Sequence, residues 1–168
     1  SVMRFPRQMT LGAMPDRKLI YDMGVEIARQ CKLLGIHINF APDIDINNNP
    51  ENPVINSRSF GEKKEEVAER GLLYMNGMQD NKVLACAKHF PGHGNTNVDS
   101  HYSLPVISQS AGEIDSVELF PFRKLIDHGV GSVMIAHLNI PALDTTASLP
   151  STLSRPIVTG LLKEKLGY

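Results

Sequence analysis

Three short apolar runs rich in β-formers punctuate the chain: residues 36–40 (Ile-His-Ile-Asn-Phe), 83–87 (Val-Leu-Ala-Cys-Ala) and 132–136 (Ser-Val-Met-Ile-Ala). Their starts lie 47 and 49 residues apart. The second and third are nearly unbroken apolar, the pattern of strands buried on both faces. A weaker run at 9–13 (Met-Thr-Leu-Gly-Ala) is a candidate first strand. Between the runs the period becomes helical. Over 16–34, Ile20, Met23, Ile27, Cys31 and Leu34 recur at steps of three and four, and Gly35 follows where a helix-ending glycine belongs. A second helix is predicted over 62–79, opening with acidic residues that suit the helix dipole. A third opens on Ser110 and Glu113, a capping-box spacing, and Pro121 is expected to break or restart it before Asp127. The last begins near Ser154, with Pro156 in its first turn, and ends at Gly167.

The resulting β-α alternation is that of a parallel sheet with crossover helices. An open doubly wound sheet shares it, but the segments after the strands favour a barrel. Residues 42–61, 88–109 and 138–153 are long and rich in Pro, Gly, Asn and Asp, as the active-site loops of a barrel are. No G-x-G-x-x-G turn follows a strand, so no dinucleotide site is predicted. The fold class is therefore α/β, a partial (β/α)8 TIM barrel of about four βα units. A complete barrel takes about 250 residues, and this chain has 168. Residues 1–168 read as a single segment of a catalytic barrel, incomplete at both ends, with another strand expected after Gly167.

Composition narrows the function. Hydrophobic residues make up 42%, enough for a packed core, and the formal net charge is −1 without a basic run. A nucleic-acid surface and a polybasic membrane anchor have no support. No stretch approaches the ~20 apolar residues of a membrane span, and no apolar run of the signal-peptide type follows the first residues. Cys31 and Cys86 lie in apolar segments and read as buried free thiols, which leaves the compartment open between bacterial cytoplasm and envelope.

The densest chemistry is at 88–101, where fourteen residues hold Lys88, His89, His93, Asp99 and His101 directly after a strand. Asp99 and His101 are two apart, so in extended chain they share a side. A carboxylate on one ring nitrogen fixes the tautomer and raises the basicity of the ring, leaving the other nitrogen to shuttle a proton. Lys88 and His89, at the strand's C-terminal end, suit the hydroxyls of a sugar. A zinc site from His89, His93 and His101 is the sharper rival, but the spacing gives no i, i+4 helical pair, and no metal is expected. His37 and His128 read as structural.

Lys88-His89-Phe90-Pro91-Gly92-His93-Gly94, with Asp99-Ser100-His101 after it, resembles the signature loop of family 3 glycoside hydrolases, in the β-N-acetylglucosaminidase (β-N-acetylhexosaminidase) branch. The resemblance covers essentially the whole chain. Residues 40–47, 52–55 and 58–61 look like that family's preceding loop, and 134–137 with 141–144 like the next one. It implies His101 as general acid/base, tuned by Asp99, with Arg58, Lys88 and His89 binding the sugar. It also points to Asn47 and His137 as neighbours of the pocket, outside the expected site residues, and to His93 as shaping the loop. Asn95 stands where the family usually has an aspartate.

The resemblance also implies a nucleophilic aspartate on a later strand, beyond Tyr168, and an acidic substrate-binding residue before Ser1. It needs no cofactor. The implied reaction is retaining hydrolysis of terminal β-linked N-acetylglucosamine, from peptidoglycan fragments or chitooligosaccharides. These residues alone are expected to be inactive, and an unclosed sheet edge invites self-association. The alternatives are a β-glucosidase of the same family, which lacks the Asp-x-His loop, and a non-catalytic sugar-binding or structural fragment.

Overall fold

The computed structural model describes residues 2–96 and 104–168. Helices α1 (Gln8–Gly12), α2 (Lys18–Leu33) and α3 (Lys64–Gln79) precede strand β1 (Cys86–Phe90). A helical run follows as α4 (Ala111–Glu113), a π-helical segment (Ile114–Glu118) and α5 (Leu119–Asp127). Strand β2 (Ser132–Ile135) comes next, and a π-helix (Pro156–Lys165) closes the order. β1 and β2 are parallel neighbours, with Cys86, Ala87 and Lys88 opposite Ser132, Val133 and Met134. The architecture is that of a partial barrel, a small parallel sheet with helices on its outer side.

The predicted first long strand is present in weaker form. Backbone bonds Asn39 N to Leu84 O (2.9 Å), Leu84 N to His37 O (2.9 Å), Cys86 N to Ala41 O (2.8 Å) and Ile44 N to Lys88 O (2.8 Å) lay this segment alongside the chain leading through β1. The ladder is discontinuous. Pro42 has no N–H to give, and only Ile38–Leu84 and Asp43–Lys88 form bridges.

The candidate strand at 9–13 is a helix instead, α1, with Leu11 N bonded to Arg7 O at 3.2 Å. Five residues with one buried side chain carried too little pattern to separate the two periods. Pro121 also departs from expectation, since the chain stays helical from Ala111 to Asp127. The ladder widens at Ile114–Glu118, and Pro121 falls in the first turn of α5, where a missing donor is tolerated. The capping box forms as predicted, with Glu113 N bonded to Ser110 Oγ and Ser110 N to Glu113 Oε2.

The core lies between the sheet and the helices. Phe90 of β1 meets Phe122 of α5 edge to face, with ring centroids 5.2 Å apart, and both are fully buried. Helices α2 and α3 cross at Gly24 and Gly77. A Cβ on Gly77 would stand 2.3 Å from Tyr21 O, and one on Gly24 2.7 Å from Tyr74 O, so this close crossing needs both glycines. Cys31 and Cys86 are buried free thiols. No described helix is long and apolar enough to cross a membrane.

Candidate functional site

The ladder between β1 and β2 skips His89, with Lys88 opposite Met134 and Phe90 opposite Ile135. A bulge of this kind re-aims a side chain. Adjacent residues of a regular strand face opposite ways, so the bulge accounts for Lys88 and His89 serving one neighbourhood. Lys88 lines a cleft of about 210 Å3 together with Arg7, Gln8, Asp43, Ser57 and Arg58. Arg58 comes from the short turn Asn56–Arg58 and is held by its Nη1 bond to Val54 O at 3.2 Å. Sequence reasoning thus named three residues that the fold gathers, Arg58, Lys88 and His89.

Beneath them sit two carboxylates, Asp43 and Asp45, from the 40–47 segment, to which the sequence pattern alone assigns no role. Asp45 is 1% exposed. Its Oδ2 accepts from His89 Nδ1 at 2.7 Å, its Oδ1 accepts from His93 N at 2.7 Å, and His89 N lies 3.2 Å from Oδ2. With Nδ1–H of His89 donating to Asp45, the other ring nitrogen, Nε2, faces Arg58 Nη2, 3.3 Å away. Both ring nitrogens of His89 are therefore engaged, which suits a positioned binder more than a proton shuttle.

Asp43 is 3% exposed, and its Oδ2 has no hydrogen-bond partner. That oxygen stands 3.5 Å from Arg58 Nη2 and 3.8 Å from His89 Nδ1. Gln8 of α1 holds the Asp43 backbone, donating to Asp43 O at 2.7 Å and accepting from Asp43 N at 3.1 Å. The readable signal was the Asp-x-Asp alternation, since residues two apart in an extended segment share a face.

Burial and the adjacent Asp45 push the Asp43 carboxyl well above the ordinary carboxylate range, against the pull of Arg58. Burial would raise Asp45 too, but His89 and the His93 amide outweigh it and hold Asp45 below that range. Burial lowers the Lys88 ammonium, opposed by Asp43. One anion and one readily protonated carboxyl thus lie under two cationic side chains.

Asp43, Asp45 and His89 bring ligand-type atoms within 4.8 Å of one another. The Arg58 guanidinium already supplies positive charge at that point. His93 is buried, with Nδ1 2.8 Å from Thr96 Oγ1, and burial lowers its pKa. Both its Nδ1 and its carbonyl bond to Thr96 Oγ1, within its own loop. Asn52 reinforces it, donating to His93 O at 2.8 Å and Gly94 O at 2.9 Å while its Oδ1 accepts from Val54 N and Ile55 N. Gly94 is pressed against the preceding loop, where a Cβ would fall 1.7 Å from Ile46 O.

Asn47 is buried and His137 exposed, its Nδ1 2.9 Å from Thr152 Oγ1, and neither lines the cleft. His37 is exposed, and His128 closes α5 with Nδ1 2.8 Å from Lys124 O. The predicted dyad, Asp99 and His101, lies outside the described residues.

Residues 1–168 match the family described as glycosyl hydrolase family 3 N terminal domain. The chain belongs to glycosyl hydrolase family 3. Among family 3 relatives, beta-hexosaminidase A of Pseudoalteromonas piscicida is 40% identical over 98% of this chain, which spans 30% of that protein. A beta-hexosaminidase of Nitrosomonas eutropha is 32% identical over 98% of the chain, which spans 48% of it. A solved family 3 beta-N-acetylglucosaminidase from Paenibacillus sp. str. FPU-7 superimposes with a TM-score of 0.96 and 47% identity, over 99% of this chain and 32% of that one. NagZ from Neisseria gonorrhoeae, solved in complex with N-trifluoroacetyl-D-glucosamine, gives 0.90 and 31% over 98% of this chain and 49% of that one. The chain therefore spans about a third to a half of the length of these relatives, which are glycoside hydrolases.

Proposed function

We propose that this chain supplies the sugar-gripping and acid/base part of a retaining β-N-acetylhexosaminidase acting on terminal β-linked N-acetylglucosamine. The observation that carries the reading is the grouping of Arg58 and Lys88 on one cleft, beside a His89 held by Asp45. These groups offer directed hydrogen bonds to sugar hydroxyls at the C-terminal end of a barrel strand, where barrel chemistry takes place. The names of the relatives, and the N-acylated glucosamine bound in one of them, support an amino-sugar over a glucose substrate.

In this mechanism a carboxylate outside these residues attacks the anomeric carbon. The glycosidic C–O bond breaks as His101 protonates the leaving oxygen, and a glycosyl-enzyme forms. His101, now neutral and oriented by Asp99, takes a proton from the water that attacks the same carbon, which frees the sugar and restores the carboxylate. A histidine can replace the second carboxylate of the usual scheme because it titrates near neutrality unaided. Peptidoglycan fragments and chitooligosaccharides are the substrate class. Without the nucleophile, residues 1–168 alone should not hydrolyse them.

The test is hydrolysis of aryl β-N-acetylglucosaminides by the full-length protein and its His101→Ala variant. General acid/base catalysis is worth about 10²–10⁴-fold. A loss of that size, greater for poor leaving groups than for good ones, is expected. Turnover close to wild type would overturn the assignment and move the acid elsewhere.

A further inference from the structure

Glu118 ends the π-helical segment and is 3% exposed, on the inner side of a helix where leucine would cost far less. Its Oε1 accepts from Asn48 Nδ2 at 2.7 Å and from Gln109 Nε2 at 3.1 Å, and its Oε2 has no partner. Gly92 packs on the same side chain. A Cβ there would stand 2.7 Å from Glu118 Cβ and 2.8 Å from Oε2, at a φ of +134°. One carboxylate thus touches three segments: the loop holding Asn48, the Pro91-Gly92 turn just after β1, and the approach to α4 at Gln109. Ile114 and Glu118, four residues apart, both face inward, and π turns like the one that holds them recur at functional sites.

Gly92 stands just after β1 and Gln109 just before α4 on the connection between those elements, and Asp99 and His101 lie between them in sequence. We infer that Glu118 is a positioning residue for the acid/base, clamping both ends of the connection that carries it. The inference rests on the hexosaminidase reading above. Burial raises the Glu118 carboxyl, opposed by its bonds from Gln109 and Asn48. A buried acceptor with two amide donors sets geometry whether or not it is ionised. Glu118 bonds to Asn48 and Gln109 and not to Arg58, Lys88 or His89, so its loss should fall on proton transfer and spare sugar binding.

The experiment compares full-length wild type, Glu118→Leu, Glu118→Gln and His101→Ala on aryl β-N-acetylglucosaminides with good and poor leaving groups. Inhibition by free N-acetylglucosamine is measured alongside. Glu118→Leu keeps the bulk against Gly92 but removes the acceptor, whereas Glu118→Gln keeps an acceptor oxygen. The expected result for Glu118→Leu is a loss in kcat/KM of about 10-fold or more on poor leaving groups, a fraction of what acid catalysis supplies. The loss is smaller on good leaving groups, inhibition by the sugar is unchanged, and Glu118→Gln restores most of the rate.

An equal loss on both substrate classes, a matching loss of sugar inhibition, or wild-type behaviour of Glu118→Leu would overturn the inference while His101→Ala still upheld the reading beneath it. If His101→Ala itself shows no leaving-group dependence, that reading fails and takes the inference with it. If Glu118→Leu does not fold, Gln109→Ala removes one donor from the same carboxylate. The same leaving-group signature in that variant supports the inference, and wild-type kinetics overturn it.

Discussion

Asp45 is the residue on which most of the site depends, because three donors converge on one buried carboxylate. Asp45→Ala strands all three, and each buried donor left without its acceptor costs about 1–3 kcal/mol. Asp45→Asn, which keeps acceptor capacity, should lose less, as chemical denaturation of the full-length protein would show. His93 makes a pH prediction. Burial depresses its pKa below the ordinary 6.5, so the unfolded chain binds the proton more readily. Its contribution to stability is complete above 6.5 and lost as pH falls from there to the lower folded value. Denaturation midpoints followed from pH 7.5 to 5 should decline less steeply in His93→Gln than in wild type. At this scale the sequence made Arg58, Lys88 and His89 legible, through the family resemblance and their place at a strand end. Asp45 could be read only in part. Its alternation with Asp43 was visible, but its partners His89 and His93 are 44 and 48 residues away, and no local pattern reports such a pairing.

Among the elements, the α2–α3 crossing is the sharpest place to probe. Alanine favours a helix over glycine by about 1 kcal/mol, yet Gly77→Ala places its Cβ 2.3 Å from the Tyr21 carbonyl. Overpacking of that kind costs about 1–3 kcal/mol, so Gly77→Ala should lower the thermal midpoint. Gly160→Ala meets nothing within 4 Å and should leave it unchanged or raise it. A thermal scan of both variants separates packing from propensity. Helices with a long amphipathic stripe were readable to within about two residues, which is the usual uncertainty of helix ends. α1 was misread because five residues cannot display a period, and the helix through Pro121 because a widened turn leaves no trace in the apolar pattern.

For the molecule as a whole, the 37–44 segment pairs with the chain at 84–88, and its ladder is sparse. Ile36, Ile38, Phe40 and Leu84 expose 41–60% of their surface along it. A row of this kind invites association. Residues 1–168 produced alone should sediment as concentration-dependent assemblies, and Phe40→Lys with Leu84→Lys should shift them toward monomer.

Asn52 carries a consequence for anyone recombining this protein with its relatives. One side-chain amide binds the segment at 93–96 while the same side chain fixes the turn at 54–55, and Gly94 leaves no room between the two loops. The two loops are therefore one unit of exchange. Chimaeras that transplant either loop alone should be poorly expressed or inactive, whereas those that carry both across together should inherit the donor's substrate preference intact.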